Sequence, residues 1–82
     1  MQTKDEIFQK LKNILIELFE TDASIITLDA KLYEDLDLDS IDAIDMIIEL
    51  QKLTGKKVKP EAFKSVRTVQ DVVNVVYTMI HD

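Results

Sequence analysis

Three pairs of residues, each pair three positions apart, mark the points at which this chain is expected to enter helices. In each pair a threonine or aspartate can cap the helix, and an acidic residue three positions later can accept from the backbone N–H of the cap, forming a capping box. The pairs are Thr3 with Glu6, Asp39 with Asp42, and Thr68 with Asp71. They predict principal helices over residues 3–19, 40–53 and 68–80.

Apolar side chains behind these caps recur every three or four residues, the spacing of an amphipathic helix. In the second helix the predicted core-facing arc consists of Ala43, Met46, Ile47, Leu50 and Leu53. The third segment is rich in valine, a poor helix former, so a strand is the alternative there. The capping pattern and the lack of strict alternation favour a helix, and an isolated strand would be unstable.

Residues 20–38 form a connection that is long for a compact domain. It contains six aliphatic residues that predict an ordered loop anchored on the core: Ile25, Ile26, Leu28, Leu32, Leu36 and Leu38. A short helical turn is expected from Pro60, since proline suits the first helical position. Residues 1–82 are therefore predicted to form one all-α domain, a small three-to-four-helix bundle with a long ordered loop between the first two helices.

Charge is distributed unevenly along the 82 residues, whose formal net charge is −6. Residues 20–50 hold ten acids and a single base, Lys31, whereas the remainder of the chain carries a net positive charge. An acidic middle section repels nucleic acid and attracts basic protein surfaces over a long range. We therefore expect protein partners with basic patches and no nucleic-acid partner.

The sequence also bounds the compartment and the chemistry. No stretch approaches the roughly 18 consecutive apolar residues of a membrane-spanning helix, and the first residues are polar, unlike a signal peptide. The expected location is the cytoplasm. The chain has no cysteine, which excludes disulfides and thiolate metal sites.

Ser40 directly follows the cap Asp39 and is expected to be the first residue of the second helix, with its hydroxyl directed outward. A serine presented in this way suits covalent modification by another enzyme. The same helix has a second apolar stripe, which a helix packed on one side does not need, and a row of acids beside it. The stripe is formed by Ile41, Ile44 and Ile48, and the acids are Asp42, Asp45 and Glu49.

A calcium loop is one alternative for this segment, because Asp35, Asp37 and Asp39 alternate as the first ligands of an EF-hand do. The pattern then fails at two positions. Ser40 stands where the EF-hand turn needs glycine, and Met46 stands where it needs a bidentate glutamate. No metal site is therefore predicted.

Catalysis by Ser40 is a second alternative, and it would need a base oriented by a third group. The single histidine, His81, lies at the C-terminal end, and a chain with one glycine has no glycine-rich oxyanion loop. A third alternative is an acidic helical adaptor in which Ser40 only starts a helix, a common position for serine.

The segment from Asp35 to Asp42 reads Asp-Leu-Asp-Leu-Asp-Ser-Ile-Asp. It resembles the attachment site of acyl carrier proteins, which is approximately Asp-Leu-Gly-x-Asp-Ser-Leu followed by an acidic residue. The resemblance extends over nearly the whole chain, through Leu28-Asp29 in the loop and Thr68-Val69 at the last helix. It departs from the pattern at Asp37, where glycine is usual, and at Ile41, where leucine is usual. The turn before the helix is therefore expected to differ from that of the family.

The resemblance implies a non-catalytic carrier with a covalent 4′-phosphopantetheine arm on Ser40, beside Asp39, holding acyl intermediates as thioesters. It implies a phosphopantetheinyl transferase that installs the arm. It also implies acyl-loading, ketosynthase, reductase and dehydratase enzymes of fatty-acid, polyketide or polyene-type biosynthesis, between which the sequence does not decide. We expect these partners to dock on a monomeric carrier through Asp39, Ile41, Asp42, Ile44, Asp45, Ile48 and Glu49.

Overall fold

The computed structural model describes residues 3–58 and 60–81 of the chain. It contains three α-helices, α1 (Lys4–Phe19), α2 (Ser40–Thr54) and α3 (Val69–Ile80). α1 packs against both other helices. The predicted all-α bundle is confirmed, and the helix boundaries differ from the expected ones by at most one residue.

The three predicted capping boxes are all present. At α3, the Asp71 N–H donates to Thr68 Oγ1 at 3.2 Å, and Asp71 Oδ2 accepts from the backbone N–H groups of Arg67 at 3.0 Å and Thr68 at 3.1 Å. These two backbone hydrogen bonds, that from Arg67 foremost, hold the pKa of Asp71 below its ordinary value. The cap and the burial of the valines together favour helix over strand in this segment.

The three helices share one hydrophobic core, and each helix contributes side chains that are almost completely buried in it. They are Ile7, Leu11 and Leu15 in α1, Met46 and Leu50 in α2, and Val69, Val72, Val73 and Val76 in α3. The remaining residues of the predicted α2 arc, Ala43, Ile47 and Leu53, are partly buried. α2 ends at Gly55, whose φ of 70° lies in the left-handed region that glycine adopts without steric cost.

The long connection between α1 and α2 is ordered, as predicted. Four of its six expected anchors are buried, namely Ile26, Leu32, Leu36 and Leu38. Its backbone is also tied to the start of α3, since the Val69 N–H donates to the Ala30 carbonyl at 3.0 Å and the Gln70 N–H donates to the Leu28 carbonyl at 2.9 Å. Lys31 and Thr68 form an antiparallel bridge at this point.

The prediction is wrong for the other two anchors, because Ile25 and Leu28 are exposed. Ile25 ends a 3₁₀ turn over Ala23–Ile25, and its neighbour Ile26 occupies the core position in its place. Asp22 caps this turn by accepting from the Ser24 N–H at 2.9 Å, and that hydrogen bond lowers the pKa of Asp22.

The connection between α2 and α3 contains the expected short turn, a 3₁₀ helix over Pro60–Phe63. Lys56, just after α2, reaches the C-terminal end of α3, where its Nζ donates to the Met79 carbonyl at 2.9 Å. A cation at this end complements the helix dipole. None of the helices formed by the described residues is long and apolar enough to cross a bilayer.

Candidate functional site

The N-terminus of α2 is held by two reciprocal hydrogen bonds between carboxylates and backbone. Asp39 adopts an extended conformation as N-cap, and its Oδ1 accepts from the Asp42 N–H at 2.9 Å. Asp42 Oδ2 in turn accepts from the Asp39 N–H at 3.2 Å. The first helical turn is therefore fixed by side chains immediately before and after Ser40.

Ser40 is the first residue of α2, and its side chain is exposed. Its hydroxyl forms no hydrogen bond with any residue that the structure describes. The backbone N–H groups in the first turn of a helix have no partner within the helix and carry the positive end of its dipole. An exposed, unpaired hydroxyl at this position can accept a substituent, and the site tolerates a negative charge on it.

The turn before Ser40 is anchored on the loop. The side chains of Leu36 and Leu38 are buried, and their N–H groups donate to the carbonyls of Lys31 and Leu32, each at 3.1 Å. Asp37 between them has a φ of 57°, in the left-handed region. Glycine adopts this conformation freely, whereas other residues adopt it at some cost, which is smaller for aspartate and asparagine.

The sequence reasoning did not identify this backbone conformation of Asp37, although it noted the missing glycine. The glycine that the acyl carrier protein pattern has at this position could have indicated this conformation, because a position that usually holds glycine often requires a positive φ. The chain adopts a left-handed conformation at this turn with an aspartate where the family pattern has glycine.

The apolar stripe predicted on α2 is strongly exposed. The exposed fractions of Ile41, Ile44 and Ile48 are 69%, 57% and 42%. These residues lie three and four positions apart and therefore share one face of the helix. Large aliphatic side chains left in solvent on one face indicate a contact surface more than a contribution to the core.

The structure brings the predicted acids onto the same helix as this stripe. Asp39 and Asp45 are exposed, whereas Asp42 and Glu49 are partly buried. Glu49 also forms an ion pair with Lys52, with 3.5 Å between Oε1 and Nζ. Asp45 has no ion-pair or hydrogen-bond partner among the described residues, so its carboxylate is available to an incoming cation.

The calcium loop and serine catalysis were the two alternative chemistries considered for this segment. Among residues 3–58 and 60–81, no group of three or more acidic or histidine side chains is arranged to hold a metal ion. His81 is exposed at the C-terminal end of α3, with its ring centroid 4.2 Å from that of Tyr77.

Comparison with known proteins assigns the chain to a family. Residues 9–76 match the family described as "Phosphopantetheine attachment site". Acyl carrier protein 2 of Ralstonia nicotianae is 49% identical over 78 residues, which cover 95% of this chain and 96% of that protein. The acyl carrier protein of Thermotoga maritima is 36% identical over 76 residues, covering 93% and 94% of the two chains.

A further relative, the acyl carrier protein of Petrotoga mobilis, is 34% identical over 73 residues, covering 89% of this chain and 86% of that protein. Carriers of this kind hold their cargo on a cofactor and do not catalyse its reactions, so the chain is not an enzyme. The chain belongs to the acyl carrier protein family, and its cofactor is covalently attached 4′-phosphopantetheine.

Proposed function

We propose that Ser40 is the residue that bears the phosphopantetheine arm. The observation that carries this proposal is the exposed and unpaired hydroxyl of Ser40 at the capped N-terminus of α2. The other two serines differ from it in position. Ser24 donates its hydroxyl to Asp22 Oδ1 at 2.9 Å, and Ser65 follows the 3₁₀ turn over Pro60–Phe63 without beginning a helix.

Attachment converts the hydroxyl of Ser40 into a phosphodiester. A phosphopantetheinyl transferase joins the Ser40 oxygen to the phosphorus nearest the pantetheine of coenzyme A, and the bond from that phosphorus to the remaining nucleotide breaks. Adenosine 3′,5′-bisphosphate leaves, and a base on the transferase takes the serine proton. The backbone N–H groups and the dipole of the first turn of α2 stabilise the new negative charge.

Asp39 is proposed to be a positioning residue for this attachment. Its carboxylate accepts from the Asp42 N–H, and its own N–H donates to Asp42, so the backbone on either side of Ser40 is held in one conformation. The bound arm supplies a thiol, which this cysteine-free chain lacks, and the thiol holds acyl groups as thioesters.

Partner enzymes are proposed to dock on the face that contains Ile41, Ile44 and Ile48 together with Asp39, Asp42, Asp45 and Glu49. The acids steer the carrier toward lysine- and arginine-rich patches, and the isoleucines supply a small apolar contact. Such an interface releases its partner readily and weakens as salt is added. This suits a carrier that visits several enzymes in turn.

The wider setting of this function is also proposed. The carrier domain comprises residues 1–82 and acts as a monomer in the cytoplasm. Its partners are the transferase and the acyl-loading, ketosynthase, reductase and dehydratase enzymes of fatty-acid, polyketide or polyene-type biosynthesis. The family membership supports a carrier function in any of these pathways.

The test is intact-mass measurement after incubation with coenzyme A, magnesium and a broad-specificity phosphopantetheinyl transferase. We expect the parent protein to gain one phosphopantetheine and the Ser40→Ala variant to gain none. Ser65→Ala is the matched control, because it removes another exposed serine, and it should gain the arm as the parent does. Loading of Ser40→Ala would move the attachment site elsewhere and overturn the proposal.

A further inference from the structure

A cationic groove lies where the first connection meets the start of α3. It has a volume of about 380 Å³ and is lined by Lys31, Tyr33, Glu34 and Arg67. The backbone positions of this groove are fixed, since the Leu32 N–H donates to the Arg67 carbonyl at 2.9 Å and the neighbouring residue Lys31 is bridged to Thr68. No local sequence pattern indicates this site, because its two halves are far apart along the chain.

The groove has two basic side chains, although one of its walls belongs to the acidic segment 20–50. Lys31 is the only base among residues 20–50, and the bridge brings Arg67 beside it. The Arg67 guanidinium has no ion pair or hydrogen bond with any described residue, although its backbone is held at both ends. A guanidinium anchored only through its backbone is free to bind an anion.

Lys31 remains able to bind an anion although it forms an ion pair with Glu34. Its Nζ lies 3.3 Å from Glu34 Oε2, and both side chains are more than half exposed. Exposed pairs of this kind contribute little and exchange partners readily. Tyr33 is 46% exposed and lines the same groove as the two cations.

Two cations beside an accessible aromatic ring match the chemistry of a nucleotide. The planar guanidinium suits phosphate oxygens because it can donate two hydrogen bonds at once, and a tyrosine face suits stacking with a base. A carboxylate from a partner protein would use the cations and leave the ring without a role. The composition of the groove therefore favours a phosphate attached to an aromatic base.

The groove also lies close to the proposed attachment residue. The Leu38 N–H donates to the Leu32 carbonyl at 3.1 Å, Tyr33 follows Leu32, and Ser40 lies two residues beyond Leu38. Standard backbone lengths along this path place the Cα atoms of Tyr33 and Ser40 within about 18 Å of each other. A ligand in the groove is therefore near the site at which the arm is transferred.

We propose that this groove binds the nucleotide half of coenzyme A, with its 3′-phosphate on Arg67 and Lys31 and its adenine on Tyr33, so that the diphosphate is left free to reach Ser40. The proposal rests on the proposed function, because coenzyme A matters here only as the donor of the arm. The carrier then contributes weakly to holding the donor while the transferase supplies the catalysis. Free adenosine 3′,5′-bisphosphate shares this chemistry and binds the same groove.

The test is an NMR titration of the isotopically labelled carrier, without transferase, with coenzyme A, adenosine 3′,5′-bisphosphate, pantetheine and inorganic phosphate in separate arms at low salt. We expect saturable shifts at Lys31, Tyr33 and Arg67 with the two nucleotides, smaller shifts with phosphate and none with pantetheine. If coenzyme A bound but adenosine 3′,5′-bisphosphate did not, recognition would depend on the pantetheine end and the proposal would fail.

Variants separate the two kinds of contact. Arg67→Gln should weaken both nucleotides at least about fivefold, since it removes a charged hydrogen-bond donor and keeps the backbone contacts. Tyr33→Leu should weaken the nucleotides and leave inorganic phosphate unchanged. Lys57→Gln, which removes an exposed lysine elsewhere, is the control and should bind as the parent does.

Equal weakening by Arg67→Gln and Lys57→Gln would reduce the effect to general charge attraction and overturn the proposal. Binding of an acidic peptide at the groove, with no response to either nucleotide, would also overturn it and assign the groove to a partner's carboxylate. The Ser40→Ala variant should still bind nucleotide, so failure of this proposal and failure of the attachment site are told apart.

Discussion

α2 and α3 begin with the same kind of capping box but differ in where their branched aliphatic side chains lie. In α3, Val69, Val72, Val73 and Val76 are all buried in the core. In α2, Met46 and Leu50 are buried, whereas three isoleucines on another face remain in solvent. Apolar residues therefore differ in position between the two helices, since the valines of α3 lie in the core and α2 has one buried apolar side and one exposed apolar side.

The largest effect should come from truncating the structural side of α2. Leu50→Ala removes a fully buried side chain, and we expect it to lower the free energy of unfolding by about 3 kcal/mol, because it leaves a cavity in the core. Ile44→Ala on the exposed side of the same helix should change it by less than about 0.5 kcal/mol. Urea denaturation of both variants measures this difference, and equal losses would abolish the distinction between the two sides.

The capping boxes provide a smaller test, because both helices have one. Thr68→Ala and Asp39→Ala should each lower the free energy of unfolding by about 1 kcal/mol, since each leaves an N–H group at a helix start without its partner. Only Asp39→Ala should also slow phosphopantetheine loading, because only that cap adjoins Ser40. Loading rates measured where both variants remain folded test this, and equal slowing would show that Asp39 has no positioning role.

A substitution at Asp37 is expected to stabilise the protein, unlike the two preceding kinds of substitution. Replacing it by glycine removes the cost of a side chain at a φ of 57°, so we expect Asp37→Gly to raise the free energy of unfolding by about 0.5 kcal/mol. Asp37→Ala should lower it by a similar amount, because alanine lacks the local hydrogen-bonding capacity that helps aspartate adopt this conformation. Thermal unfolding of the pair measures the effect, and stabilisation by alanine would contradict the assignment of strain.

The smallest expected effect is the pH dependence contributed by Asp71. Its pKa in the folded protein is below the ordinary value of 3.8, so its stabilising contribution is present above pH 3.8 and is lost as the pH falls through the lowered pKa. Asp71→Asn should therefore unfold with a shallower loss of stability on the acid side than the parent. Urea midpoints measured between pH 6 and pH 3 provide the check, and parallel curves would contradict it.

The helices could be predicted from the sequence because their signals are local. Each capping box involves residues only three positions apart, and the apolar spacing behind it identifies the buried face. The exposed stripe of Ile41, Ile44 and Ile48 was recognised for the same reason, since the helix had more apolar faces than its packing required. The resemblance around Ser40 then gave the family, which the comparisons confirm.

What could not be predicted depends on contacts between distant parts of the chain. Apolar spacing in the loop did not distinguish Ile26, which is buried, from Ile25, which is exposed, because a 3₁₀ turn decides which of them faces the core. The bridge between Lys31 and Thr68 joins residues far apart in sequence, so the groove beside Arg67 had no local signature.

The proposed role of the exposed side of α2 in recognition can be tested by transferase kinetics with two matched variants. Ile44→Ala changes that side, and Leu18→Ala removes an aliphatic side chain that is 41% exposed on α1. We predict that Ile44→Ala lowers kcat/KM for the carrier about fivefold, corresponding to about 1 kcal/mol of contact, while Leu18→Ala leaves it unchanged. Equal kcat/KM for the two variants would overturn the recognition role and reduce the stripe to an ordinary exposed surface.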